Sequence, residues 1–298
     1  MATPLQRVEK PLRDLRKALK NLSKDPQPDE VHKLRTRARR VEAIVAAWPP
    51  AERHQSQRLI QSIKPLRKAA GAVRDMDVLT ANVLKLPRER DLGSLARLVE
   101  NLGSARRAYA NALLRVARRG GKTACRNLEG YLKMVRSAFI GSKGDKTGLA
   151  DGAPASPPER ALRSAAARLA RKLSRWPQLD ERNLHPFRIK VKELRSILQI
   201  FADSDPGFAK ALADASARIG NWHDWQHLKE IAENIPGEPL ERALLGAIRR
   251  TARRKLTQAL AAANALRATY LHSASGRPTA AARGLAHRKM ETVEQKQR

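Results

Sequence analysis

The chain has 298 residues, enough for one large domain or two small ones with a real core. Lys and Arg number 60 against 29 Asp and Glu, a formal net charge of +31, which self-repulsion makes costly in a compact fold unless an anion offsets it. The apolar fraction is 42% and mostly Ala and Leu, aromatics are 4%, and the single cysteine, Cys125, excludes an intramolecular disulfide framework and a multi-cysteine zinc module.

Leu5, Val8, Leu12, Leu15, Leu19 and Leu22 step by three and four residues, the period of one helical face. Pro11 inside that stripe predicts either a kink or a helix that begins there. Val31, Leu34, Ala38, Val41, Val45 and Trp48 repeat the stepping, and Pro49-Pro50 is the expected stop. A third helix is predicted from about Glu52 to Leu84, kinked at Pro65. Two more are predicted over about 88–119 and 123–140, parted by Gly120-Gly121. Residues 141–158, GSKGDKTGLADGAPASPP, read as a flexible linker. Helices resume at about 159–176, 185–202, 206–233 and 237–272, and the basic, aperiodic stretch 273–298 reads as a disordered tail. No segment alternates with period two, so the expected class is all-α.

The two sides of the linker resemble each other. LHPFRIKVKELRSIL at 184–198 aligns with VHKLRTRARRVEAIV at 31–45, pairing His185 with His32, Arg188 with Arg35 and Lys192 with Arg39. Further on, Gly220-Asn-Trp-His-Asp224 lines up with Gly71-Ala-Val-Arg-Asp75. Two matches in the same order argue for duplication: residues 1–140 as a first helical half, 159–272 as a second, packed as two pseudo-symmetric bundles.

On a helical wheel Val31, Leu34, Ala38, Val41 and Val45 share one sector, and His32, Arg35 and Arg39 line its border. Lys33, Arg37 and Arg40 form a second stripe. His185, Arg188 and Lys192 repeat the first one, continued by Arg195. Cations about one turn apart suit a linear polyanion charged at every repeat, since Arg grips phosphate oxygens bidentately and Lys acts as a point charge. The bland alternative is a solvated helix face. His32 and His185, at the border of apolar stripes, fit anion contact or local structure. Asp75 and Asp224 are expected to hold basic side chains in place, with metal ligation beside the histidines as the sharper option. His223 and His227, four residues apart, are a weak metal signal on their own. No phosphate-cradling glycine loop, nucleophile elbow or paired acids stand out, so no catalytic residue, cofactor or metal is expected.

With VHKLRTRARR, GAVRDMDVL and LHPFRIKVKELR in this order, the chain resembles the CHAD domain, the conserved histidine α-helical domain, over about residues 5–272. The resemblance implies an all-helical fold of two four-helix-like bundles around a basic groove. It also implies binding of inorganic polyphosphate and location at polyphosphate granules in the cytoplasm. No stretch reads as the β-tunnel of a fused triphosphatase, so a free-standing member is expected. By motif position the resemblance assigns polyphosphate contact to His32, Arg35, Arg39, Arg74, His185, Arg188 and Lys192, flanked by Lys33, Arg37, Arg40 and Arg195. Asp75 and Asp224 take supporting roles. The second half departs from the pattern: His223 stands where the first half has Arg74, Gln226 replaces the second Asp, and Pro186 puts His185 at the very start of its helix.

Three competing functions follow. Polyphosphate binding comes first. Nucleic acid is expected to bind only weakly and non-specifically, because the chain has 11 aromatics and several lie on apolar stripes. A metal-dependent phosphohydrolase would rest on the His and Asp positions alone. No run of about 18 apolar residues and no secretory leader can be read, so a membrane span is not expected and the cytoplasm is the expected location.

Overall fold

Thr3 starts the first helix by a reciprocal cap. Its Oγ1 accepts from the Gln6 N–H at 3.3 Å, and Gln6 Oε1 accepts from the Thr3 N–H at 2.9 Å, satisfying two donors that helix geometry leaves orphaned. In this computed structural model, which describes residues 3–48, 53–86, 92–140, 157–201 and 205–271, helix α1 runs Pro4–Lys20. The helix continues through Pro11, so that residue does not start it; Pro11 is buried with the core residues Val8, Leu12 and Leu15.

Helix α2 is Pro28–Ala47. Glu30 Oε2 accepts from the Gln27 N–H at 2.9 Å and from Ser23 Oγ at 2.7 Å, and Asp29 joins it in the first turn, where negative charge complements the helix dipole. The chain turns extended at Trp48, whose buried indole packs against Tyr131 and Phe139. The expected stop at Pro49-Pro50 lies outside the described residues. Helix α3 is Arg53–Val83, with an exposed Pro65 inside it.

Helix α4, Leu92–Ile140, is one element of 49 residues, about 73 Å at 1.5 Å per residue. The predicted break at Gly120-Gly121 is absent. Each glycine costs about 1 kcal/mol against alanine. Packing on both sides outweighs that: Leu113 before the pair, and Ala124, Leu128, Tyr131 and Val135 after it, are all buried.

The chain forms two compact units. The first is Met1–Leu162 with Asp224–Arg253. Within it α1 packs on α2, α2 on α3, α3 on α4, and α4 back on α1, a closed four-helix ring. Glu9 ties α1 to α4 through Arg136, and Arg106 of α4 donates to Asp77 of α3 at 2.7 Å. A second apolar cluster joins Met76, Leu79 and Leu98 to Trp225, Leu228 and Ile248. The last three belong to helices α7, Pro206–Glu233, and α8, Arg242–Leu266. Sequence periodicity placed the start of α8 near residue 237. Gly237 instead adopts φ +87, a left-handed turn, and the helix begins five residues later.

The second unit is Arg163–His223 with Arg254–Arg298. It holds most of α5, Pro157–Ser174, all of α6, Leu184–Leu198, and the remaining parts of α7 and α8. Asp180 and Asn183 staple the turn before α6: Asp180 Oδ1 accepts from the Arg182 and Asn183 N–H groups, both at 2.9 Å. Pro186 falls in the first turn of α6, where a missing N–H costs nothing. A π turn, Arg267–Leu271, follows α8, and the Arg267 guanidinium donates to the carbonyls of Ser174, Trp176 and Pro177 at the end of α5. Among the described residues the fold is all-α, with no strand. The linker reading falls on residues 141–156 and the tail reading on 273–298, both outside the described residues apart from Pro157 and Pro158, which open α5.

Candidate functional site

The α2 stripe is placed by its core. Val31, Leu34, Ala38, Val41 and Val45 are all buried, so the flanking cations lie at the edge of the bundle. Arg35 crosses to α3. Its Nη2 lies 3.3 Å from Asp75 Oδ1, and its side chain keeps 21% exposure, enough to meet a ligand. The guanidinium lies over Gly71, where an added Cβ would sit 3.6 Å from Arg35 Nε. What Gly71 faces is thus an arginine side chain. Arg74 is three residues on, on the same face of α3. It is half-buried and, among the described residues, makes no hydrogen bond or ion pair.

The other first-half candidates are spread more widely. His32 is exposed, and Arg39 and Arg40 are half-buried. Lys33 pairs with Asp29 one turn earlier, and that hydrogen-bonded ammonium holds the Asp29 carboxyl below the usual carboxylate range. Arg37 donates to the Asp14 carbonyl of α1 at 3.3 Å, a contact inside the bundle.

The second unit repeats the arginine-over-glycine arrangement more tightly. Arg188 of α6 donates from Nε to the Ser216 carbonyl of α7 at 3.0 Å. A Cβ on Gly220 would come within 2.3 Å of Arg188 Nη2 and 2.9 Å of its Cζ, closer than such atoms approach. Three residues past Gly220, where the first half has Arg74, His223 stacks on His185 with ring centroids 4.1 Å apart and planes inclined by 30°. Lys192 and Arg195 continue along α6, both half-buried. Lys190, the counterpart of Arg37, pairs with Glu193 at 2.6 Å. Asp224 and His227 lie in the α7 segment that belongs to the first unit, and both are half-buried.

Each seat therefore brings together a stripe arginine, a glycine that makes room for it, and a basic or imidazole side chain one turn beyond. Such a pair offers fixed N–H donors to phosphate oxygens, with little side-chain entropy left to lose on binding. Among the described residues no three His, Cys, Asp or Glu side chains gather into a metal-binding group. Burial pushes the Cys125 thiol up, against the opposing pull of Arg16 and Lys20, so it is no activated thiolate at neutral pH. Among the described residues no helix is long and apolar enough to cross a membrane.

Sequence reasoning overlooked α4. Ten Lys or Arg stand against two acids along that helix, and the stretch 101–128 contains seven cations and no acid. That acid-free run was the available signal.

Residues 6–233 match the family model for the CHAD domain. Among solved structures the chain is similar to the crystal structure of the CHAD domain from the plant Ricinus communis. The two are 20% identical, with a TM-score of 0.60 over 90% of this chain and 91% of that one, a likeness of fold. No curated protein matches the chain.

Proposed function

The chain belongs to the CHAD family, and on that premise we propose that it binds inorganic polyphosphate through its two arginine seats and is thereby recruited to polyphosphate granules in the cytoplasm. The observation that carries the reading is the first seat: Arg35 held over Gly71, with the half-buried Arg74 one turn away and no partner among the described residues. A guanidinium kept partly out of water without an anion is costly, and a phosphate chain supplies that anion at every repeat. The recurrence of arginine over glycine at Arg188 and Gly220 supports a duplicated binding unit. The stacked His185 and His223 then add imidazole donors near Arg188, and Lys192 and Arg195 extend the second contact along α6.

Nucleic acid is the weaker reading. Trp48, Phe187, Phe201, Trp222 and Trp225 are buried, which removes them as platforms for base stacking. The protein is proposed as a binder and not a hydrolase: polyphosphate incubated with it and Mg²⁺, Mn²⁺ or Zn²⁺ is expected to keep its length.

The test is the double variant Arg35→Gln with Arg74→Gln in the full chain. Each guanidinium–phosphate contact is worth about 1.5–3 kcal/mol, so affinity for long-chain polyphosphate should fall at least tenfold while helix content stays the same. A folded double variant that binds as tightly as the parent would remove the first seat from the function.

A further inference from the structure

A charge feature outside the seats is the outward face of α4. Arg115, Arg118, Arg119, Lys122 and Arg126 are all exposed, and Lys133 continues the line. At about 100° per residue the six fall within an arc of roughly 100° and span about 27 Å of helix. Among the described residues none of the six has an ion pair or a side-chain hydrogen bond. The nearby acids are spoken for. Glu129, which falls on the same arc, takes Arg16 of α1, and Glu9 takes Arg13 and Arg136. Arg106, the cation of α4 that faces α3, is tied to Asp77 and to the Pro26 carbonyl.

A solubilising helix face ordinarily mixes both signs, because like charges three or four residues apart cost about 0.2–0.5 kcal/mol per pair. Arg115–Arg118, Arg118–Lys122, Arg119–Lys122 and Lys122–Arg126 are all such pairs, and no acid relieves them. A bound polyanion would turn that repulsion into attraction. Tyr109, the exposed tyrosine of α4, lies off this arc on the wheel, so the face offers cations without a stacking platform.

We propose that this face of α4 is a second polyphosphate site and that the protein thereby cross-links polymer chains. The inference rests on the function proposed above. One chain is gripped at an arginine seat and another lies along α4, so protein and polymer build a network and not a one-to-one complex. None of the residues of the α4 face belongs to a seat, so the two sites can be removed independently.

The experiment uses the full chain with Arg115→Gln, Arg118→Gln, Lys122→Gln and Arg126→Gln. An equal-charge control carries Arg53→Gln, Lys64→Gln, Lys68→Gln and Lys85→Gln, all exposed positions. Light scattering is followed as long-chain polyphosphate is titrated in, and calorimetry with a short linear oligophosphate counts sites. The parent and the control should scatter strongly near charge balance and show two classes of site. The α4 variant should lose most of the scattering, at least fivefold, and one class of site, and keep the other class within about twofold. Scattering and site number unchanged from the control would overturn the α4 site and leave the proposed function standing. A loss confined to duplex DNA binding would overturn it too, and reassign the face to nucleic acid. A parent that binds no polyphosphate in either format overturns the proposed function and this inference together.

Discussion

The arginine seats on α2–α3 and on α6–α7 share their parts and differ in how they hold the guanidinium. Arg35 meets a carboxylate, Asp75, at 3.3 Å and leaves room on its glycine, where an added Cβ would sit at an ordinary contact distance of 3.6 Å. Arg188 meets a backbone carbonyl at 3.0 Å and presses so close to Gly220 that no other residue fits there unless the guanidinium moves. One turn on, the first seat offers the guanidinium of Arg74, while the second offers His223 stacked on His185. The comparison teaches that the glycine and the arginine recur in both seats while the neighbouring group differs, a guanidinium in one and an imidazole in the other. The first seat, with two guanidinium groups, is therefore expected to dominate.

The difference in clearance can be broken directly. Gly220→Ala drives a Cβ into Arg188 Nη2. The far end of an arginine moves easily, so the fold should persist, aided by alanine's advantage of about 1 kcal/mol in a helix. Arg188 should lose its Ser216 carbonyl and its aim, and polyphosphate affinity should fall about three- to tenfold, the worth of one charged hydrogen bond. Gly71→Ala should behave oppositely. At 3.6 Å the new methyl group is tolerated, so thermal unfolding should show a gain of up to about 1 kcal/mol with affinity unchanged. Equal losses of affinity in both variants would show that the seats are not held differently.

A smaller change should convert one seat toward the other. His223→Arg puts a second guanidinium one turn beyond Gly220, as Arg74 lies one turn beyond Gly71, and should raise affinity about two- to threefold. An unchanged affinity in the folded variant would deny that position any part in the difference. Smallest of all should be Asp75→Asn. It keeps a hydrogen-bond acceptor for Arg35 and removes the competing negative charge, so affinity should move by less than about twofold, since partly exposed ion pairs contribute about 0–1 kcal/mol.

How much of this could be read from the sequence depended on whether the deciding contact was local. The α2 stripe was legible, since a three-four repeat fixes which residues are buried, and Val31 through Val45 are. Gly120-Gly121 misled, because the glycine penalty is local whereas the buried side chains on either side that hold α4 together are tertiary. The link between Arg35 and Gly71 lies beyond any periodicity argument. Only the recurrence of the same pair as Arg188 and Gly220 hinted at it, and the structure supplied its meaning. The stack of His185 on His223 had no sequence signal, since ring-to-ring contact depends on how α6 meets α7.

The central claim is that fixed arginine seats, and not bulk charge, select polyphosphate. The direct measurement is binding of the full chain to long-chain polyphosphate and to duplex DNA, in parallel across a salt series. Both ligands should bind at low salt, because a net charge of +31 attracts any polyanion. Near 0.15 M salt, where the screening length falls to about 8 Å, DNA binding should fade while polyphosphate remains bound. DNA displacing polyphosphate at that salt would contradict the account.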